Sequence, residues 1–203
     1  MRIAFGIGAF CASASIAGAA FIVDAGDQVA FENAVMQPLE IRISNDNPAD
    51  RVGGATIILG IRDPGGGPAP EITGFDVTTG TIFDGVAVTV TDVDDLVGGG
   101  VDGFPNDENA SVALSVTGAD IEVGVDELLA TFFIDTTGFS AGQVFDLEVN
   151  SLFGPTEIVS AGAIPTVFPT TLNDGIVTLI AVPEPALVSL IGLGGLPLLR
   201  RRR

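Results

Sequence analysis

The sequence predicts an all-β chain, an antiparallel β-sandwich of jelly-roll type with about nine strands. Three observations carry that expectation. Apolar residues recur with a period of two through the central chain; glycine, proline, asparagine and aspartate break those runs; and no amphipathic helix of ordinary length lies between the two ends. A signal helix at the N-terminus and a short hydrophobic helix at the C-terminus complete the expected architecture.

Residues 1–20 have the build of a secretory signal peptide: Arg2 as a minimal positive start, an apolar run over 3–16, then Ala17, Gly18 and Ala19 as the small residues of a cleavage site. The run is too short to serve as an ordinary membrane span and lacks the alternation of a strand. Cys11, the one cysteine, lies in this segment after bulky Phe10, which does not suit a lipoprotein cleavage site. The mature chain therefore has no thiol and relies on its core rather than on disulfides.

Within the expected domain, residues 21–181, Leu39, Ile41 and Ile43 alternate with Glu40 and Arg42, and Val86, Val88 and Val90 alternate with Ala87, Thr89 and Thr91. Val112, Leu114 and Val116 are offset from Ser111, Ser115 and Thr117, and Phe145, Leu147 and Val149 from Asp146, Glu148 and Asn150. Each pattern suits a strand with one buried face. Further strand candidates are 55–61, 72–77, 128–134, 157–160 and 175–180. Turn-forming residues separate them, as at 63–68 and 173–175.

Composition removes several chemistries. The chain has no histidine, tyrosine or tryptophan, and all eight of its basic residues are arginines, so neither a histidine-assisted nor a lysine-assisted nucleophile can be assembled. Of 26 acids only Glu184 falls outside residues 21–181, and only Arg42, Arg51 and Arg62 fall inside; 25 acids against three arginines give this part a net charge of −22. Such a surface repels nucleic acid and other polyanions and attracts cations. A glycosidase needs only two carboxylates, which keeps acid glycoside hydrolysis as a remote alternative, although the absence of Trp and Tyr removes the usual sugar platforms.

The densest group of hard oxygen ligands is Asp92, Asp94, Asp95, Asp102, Asp107 and Glu108 on a glycine-rich stretch, for which calcium is the natural guest. The alternative is a solvated acidic loop. Leu96 and Val97 break the spacing of an EF-hand. Asn45, Asp46, Asn47 and Asp50 form a smaller, less diagnostic group. Gly98, Gly100 and Gly103 fit a dinucleotide-loop spacing, but Phe104 and Pro105 follow where a phosphate-binding helix is required.

The last segment, 182–203, combines Pro183, Glu184 and Pro185 with an apolar stretch over 186–199 and then Arg200, Arg201, Arg202 and Arg203. Fourteen helical residues span only about 21 Å, short of a hydrocarbon layer of about 30 Å, so the segment suits temporary retention with its arginines on the cytoplasmic side. An ordinary tail anchor is the alternative. This order of parts resembles the PEP-CTERM sorting domain of exported bacterial proteins. The resemblance implies recognition of Pro183, Glu184 and Pro185 by an exosortase at the inner membrane, removal of the tail, and delivery to the cell surface or an exopolysaccharide matrix.

The domain itself is similar in rhythm to cohesins: an early strand before the pair Gly53 and Gly54, a strand ending at Asp63, the segment 80–83, the run 128–134, then Gly142 and the closing 174–178. That resemblance implies a cohesin-like sandwich acting as a protein-interaction module, related in fold to carbohydrate-binding domains. The expected function is thus a non-enzymatic surface or biofilm-matrix protein whose partners are surface proteins or exopolysaccharide. Calcium-assisted polysaccharide binding is the alternative.

Overall fold

The computed structural model of the chain describes residues 21–92, 107–117, 120–151, 154–161 and 164–183, so the expected terminal helices lie outside the described residues. Among these the strands run in order as β1 (Phe21–Asp24), β2 (Asp27–Phe31), β3 (Gln37–Asn45), β4 (Val52–Arg62), β5 (Glu71–Asp76), β6 (Val88–Asp92) and β7 (Asp107–Val116). The rest are β8 (Glu127–Asp135), β9 (Val144–Glu148), β10 (Asn150–Ser151), β11 (Gly154–Pro155), β12 (Glu157–Ser160), β13 (Thr170–Asn173) and β14 (Gly175–Ile180). They form two facing sheets, ordered β13-β1-β3-β8-β5 and β2-β14-β9-β4-β7-β6, with β12 also paired to β4 and β10-β11 a separate hairpin.

The core lies between the sheets. Leu39, Ile41 and Ile43 of β3, Ile57, Leu59 and Ile61 of β4, Val112 and Leu114 of β7, and Phe145 and Leu147 of β9 are buried there, as their alternation predicts. Burial of these side chains is the main favourable term for folding. One expected start shifts: β6 begins at Val88, because the Val86 N–H bonds to the Phe83 carbonyl in the preceding turn.

The sandwich is mainly antiparallel, as expected, and two features add parallel pairs and further short strands to it. The first strand is split. β1 pairs with β3 and, in parallel, with β13; the chain then bends at Gly26, with φ at +60°, and continues as β2 beside β14, again in parallel. The final strand divides between the same two sheets, and a Cβ at Gly175 would overlap the Gly26 backbone where the two crossings meet. Both crossings lie on the same side of the sandwich and lace the two sheets together there, whereas β5 and β6 end the two strand orders on the other side.

Side chains complete the ladder where these crossings interrupt it. After β1 leaves β3, the Gln28 amide takes its place: Nε2 donates to the Glu40 carbonyl at 2.9 Å and Oε1 accepts the Glu40 N–H at 2.8 Å. A second gap opens along β4, between Gly60–Arg62, which pair with β9, and Val52–Thr56, which pair with β12. There the buried Thr156 hydroxyl accepts the Ile58 N–H at 3.0 Å and donates to the Ile58 carbonyl at 3.3 Å. Each hydroxyl or amide stands in for a missing peptide, so neither backbone segment is left with unmet polar groups.

Candidate interaction surface

The outer face of β9, β4, β7 and β6 is built by the same alternation that builds the core. With Ala55, Ile57, Leu59 and Ile61 turned inward, β4 presents Thr56, Gly60 and Arg62 outward; with Ala110, Val112 and Leu114 inward, β7 presents Asn109, Ser111, Ala113 and Ser115. Register sets Thr56 beside Ala113, Ile58 beside Ser111 and Gly60 beside Asn109, while Thr89 of β6 lies beside Ser115. A Cβ at Gly60 would come within 2.6 Å of Asn109 Oδ1, so the asparagine side chain lies over the glycine. Ile58 faces outward yet is only 4% exposed and stands apart from the main core. What remains at the described outward positions of β7 and the adjoining β6 is mainly small and hydroxyl-bearing side chains.

One end of this face is charged. Arg62 pairs with Glu148 and lies 3.9 Å from Asp146, both on the adjoining β9. The domain's other two arginines are also neutralised: Arg42 lies 2.7 Å from Glu40 and 3.5 Å from Asp126, and Arg51 lies 2.7 Å from Glu122. Nothing cationic is left over to offset the acidic surplus, and the surface potential is strongly negative.

Several of the described carboxylates brace turns and neighbouring backbone. Asp76 is lowered to about 2 by the Thr79 backbone N–H and hydroxyl and by the Thr78 N–H, with N···O distances of 2.9 and 2.8 Å to the two amides. Asp135 is lowered by the Thr137 hydroxyl and by its N–H at 2.8 Å. Both shifts strengthen the acid, which is the wrong direction for a proton donor to a glycosidic oxygen. Asn45, Asn47 and Asp50 close their own turn: Asn45 Oδ1 accepts the Asn47 N–H at 2.8 Å, and Asn47 Nδ2 donates to Asp50 Oδ2 at 3.0 Å. A shallow hollow of about 360 Å³ is walled by Asp24, Asp27, Glu40, Arg42 and Asp126, but its arginine is held by its own acids.

Of the six residues expected to hold calcium, Asp94, Asp95 and Asp102 lie outside the described residues, and Asp92, Asp107 and Glu108 are placed by their backbone in β6 and β7. Asp92 stands opposite Val112, whereas Asp107 stands opposite Arg62, five positions further along β7. Five positions are about 17 Å of strand, too far for those two residues to share one ion, so a shared site would draw on 93–106 and one strand end. Among the described residues no group of three or more His, Cys, Asp or Glu is arranged to hold a metal. Of the residues expected to carry a sorting signal, Pro183 is the last described residue, and Glu184, Pro185 and Arg200, Arg201, Arg202 and Arg203 lie beyond it.

Sequence alone did not bring Arg62, Asp146 and Glu148 together. Each was legible as a polar position on its own strand, but only the β4–β9 register makes them neighbours.

No protein-family model and no curated protein matches the chain. Among solved structures it is similar to the third ScaB cohesin of R. flavefaciens, in complex with a group 1 dockerin, at 12% identity and a TM-score of 0.51, covering 83% of this chain and 100% of that one. It is similar to the seventh ScaB type I cohesin of Pseudobacteroides cellulosolvens at 12% identity and a TM-score of 0.52, covering 82% and 96%. The third ScaC cohesin of Acetivibrio cellulolyticus, in complex with the ScaB dockerin, gives 14% identity and a TM-score of 0.52 over 79% and 99%. At such identities the likeness establishes the fold: this is a cohesin-type β-sandwich.

Proposed function

We propose that the chain is an exported, non-enzymatic protein-interaction module of a cell surface or exopolysaccharide matrix, and that its tail is sorted by an exosortase-type system. The observation that carries the interaction reading is the outer face of β9, β4, β7 and β6, whose described outward positions are rich in small and hydroxyl side chains and are bordered by the Arg62–Glu148–Asp146 cluster. A polar sheet face suits a protein surface better than a small molecule, which calls for a concave, largely apolar site. The domain's net charge of −22 favours a neutral or basic polypeptide over an anionic polymer. Several proteins of this fold have been solved bound to dockerins, which supports a protein partner here. The outward positions of the face carry no aromatic ring on which a sugar could stack.

The test is retention. The immobilised chain is challenged in parallel with surface proteins of its host and with the host's purified exopolysaccharide. Capture of a protein, with polysaccharide passing through, supports the proposal; capture of polysaccharide alone favours the carbohydrate reading. For the tail, intact mass of the surface form should lack Arg200, Arg201, Arg202 and Arg203, whereas an uncleaved membrane-held protein favours a plain anchor.

A further inference from the structure

The described chain ends at one pole of the sandwich, and that pole is unlike the rest of the surface. The β2–β3 loop over 32–36, the β8–β9 loop over 137–143 and the segment after β14 meet there. They are tied by Glu32 N–H to Ile180 O at 2.9 Å, Gly142 N–H to Leu179 O at 2.8 Å and Gly138 N–H to Asn33 Oδ1 at 3.0 Å. Buried Thr136 fastens the first loop from beneath, with its hydroxyl 2.7 Å from the Phe31 carbonyl and 3.0 Å from the Ala34 N–H. Asn33 and Met36 are held at φ of +48° and +54° within it.

This fixed pole displays large apolar side chains. Val35 is 61% exposed, Met36 55% and Val182 51%, and Phe31, Val144 and Ile180 are exposed beside them. Residues 32–36, 137–143 and 180–183 contain a single ionisable side chain, Glu32, in a protein that is 17% charged. That carboxylate accepts the Ala141 N–H at 2.8 Å. Asp135, tied to Thr137, and Glu71 flank the pole from the other sheet. An apolar surface held in place by hydrogen bonds, at the edge of a strongly acidic body, marks a binding site rather than incidental exposure.

Where the chain goes next identifies the occupant. Pro183 is three residues from Ala186, where the apolar stretch 186–199 begins, so the pole can stand no more than about 11 Å from that stretch. If that stretch enters a bilayer, the apolar pole is brought to the lipid interface and the acidic flanks are turned away. We infer that this pole rests on the lipid surface while the tail is attached, through Phe31, Val35, Met36, Val144, Ile180 and Val182. The inference rests on the reading of residues 182–203 as a membrane-inserting tail. Docking would hold the Pro183-Glu184-Pro185 segment at the membrane surface in one orientation, with little ordering cost because the loops are already fixed.

The full chain in a Cys11→Ser background is labelled with a fluorophore at Val35→Cys, Val125→Cys or Leu190→Cys and reconstituted into phosphatidylcholine vesicles containing brominated lipid. Val125 is 80% exposed in the loop that meets Asn45 at the opposite pole. Labels at 190 and 35 should be quenched by the lipid several-fold more than the label at 125. Quenching at 190 with 35 behaving like 125 overturns the inference but leaves the tail reading standing. A label at 190 that stays in water removes both. Excimer formation between labels at 35 without vesicles makes a second copy the occupant and overturns the lipid assignment.

Discussion

Thr156 is the sharpest test of how the central strand is held. It is 2% exposed, and its hydroxyl makes both hydrogen bonds that the Ile58 peptide lacks between β9 and β12. Thr156→Val replaces that hydroxyl with a methyl of similar shape, so little cavity is created and the cost is that of leaving the Ile58 peptide unpaired. For a buried donor that cost is about 1–3 kcal/mol. A domain of this size loses roughly 2–4 °C of Tm per kcal/mol, which gives a drop of about 2–12 °C. Thr156→Ser keeps the hydroxyl and forfeits one methyl group, about 1 kcal/mol. The discriminating assay is amide hydrogen exchange read at Ile58: it accelerates relative to the other β4 amides in Thr156→Val and keeps its relative protection in Thr156→Ser. A Val variant that melts with the wild type, or an Ile58 amide that stays equally protected in it, refutes the assignment.

Two further outcomes follow from individual side chains. Asp76 has a folded-state pKa of about 2 against an ordinary value of 3.8, so its contribution is fully present above about pH 4 and disappears as pH falls through 2. Asp76→Ala should therefore cost about 1 kcal/mol in urea unfolding at neutral pH, with the gap to the wild type closing between pH 4 and 2; a gap independent of pH contradicts the bonding to Thr78 and Thr79. Calcium at 100 times its dissociation constant should raise stability by about 2.7 kcal/mol if the 92–108 segment binds it, and Asp94→Ala should blunt the rise, whereas a melting curve unmoved by calcium removes that site.

Much of the fold could be read from the chain because most strands bury one face. Leu39, Ile41 and Ile43, or Val112 and Leu114, alternate with polar neighbours, and that period alone marks strand and inner face. The crossing strands were less legible. β1 directly follows the apolar residues at the start of the sequence and merges with their pattern, and β13, Thr-Thr-Leu-Asn, takes its extended form from parallel pairing with β1 rather than from a hydrophobic period. The completing side chains were out of reach for a different reason: Thr156 acts on a residue 98 positions away, so its role exists only in the folded chain. The same holds for the proposed interaction face. Ser111, Ala113 and Ser115 read as a polar side of one strand, and only register with Thr56 and Thr89 makes them a surface.

The central claim is that this surface binds a protein. Ala113 lies at its middle, opposite Thr56 on one side and Thr91 on the other. The direct measurement is the affinity of the captured partner for the wild-type chain and for Ala113→Arg, with Val125→Arg at the opposite pole from the tail as control and matched melting temperatures confirming the fold. Ala113→Arg should weaken binding by about tenfold or more, equivalent to about 1.4 kcal/mol, while the control binds as the wild type does. Equal binding by all three, or retention of exopolysaccharide without any protein partner, would contradict it.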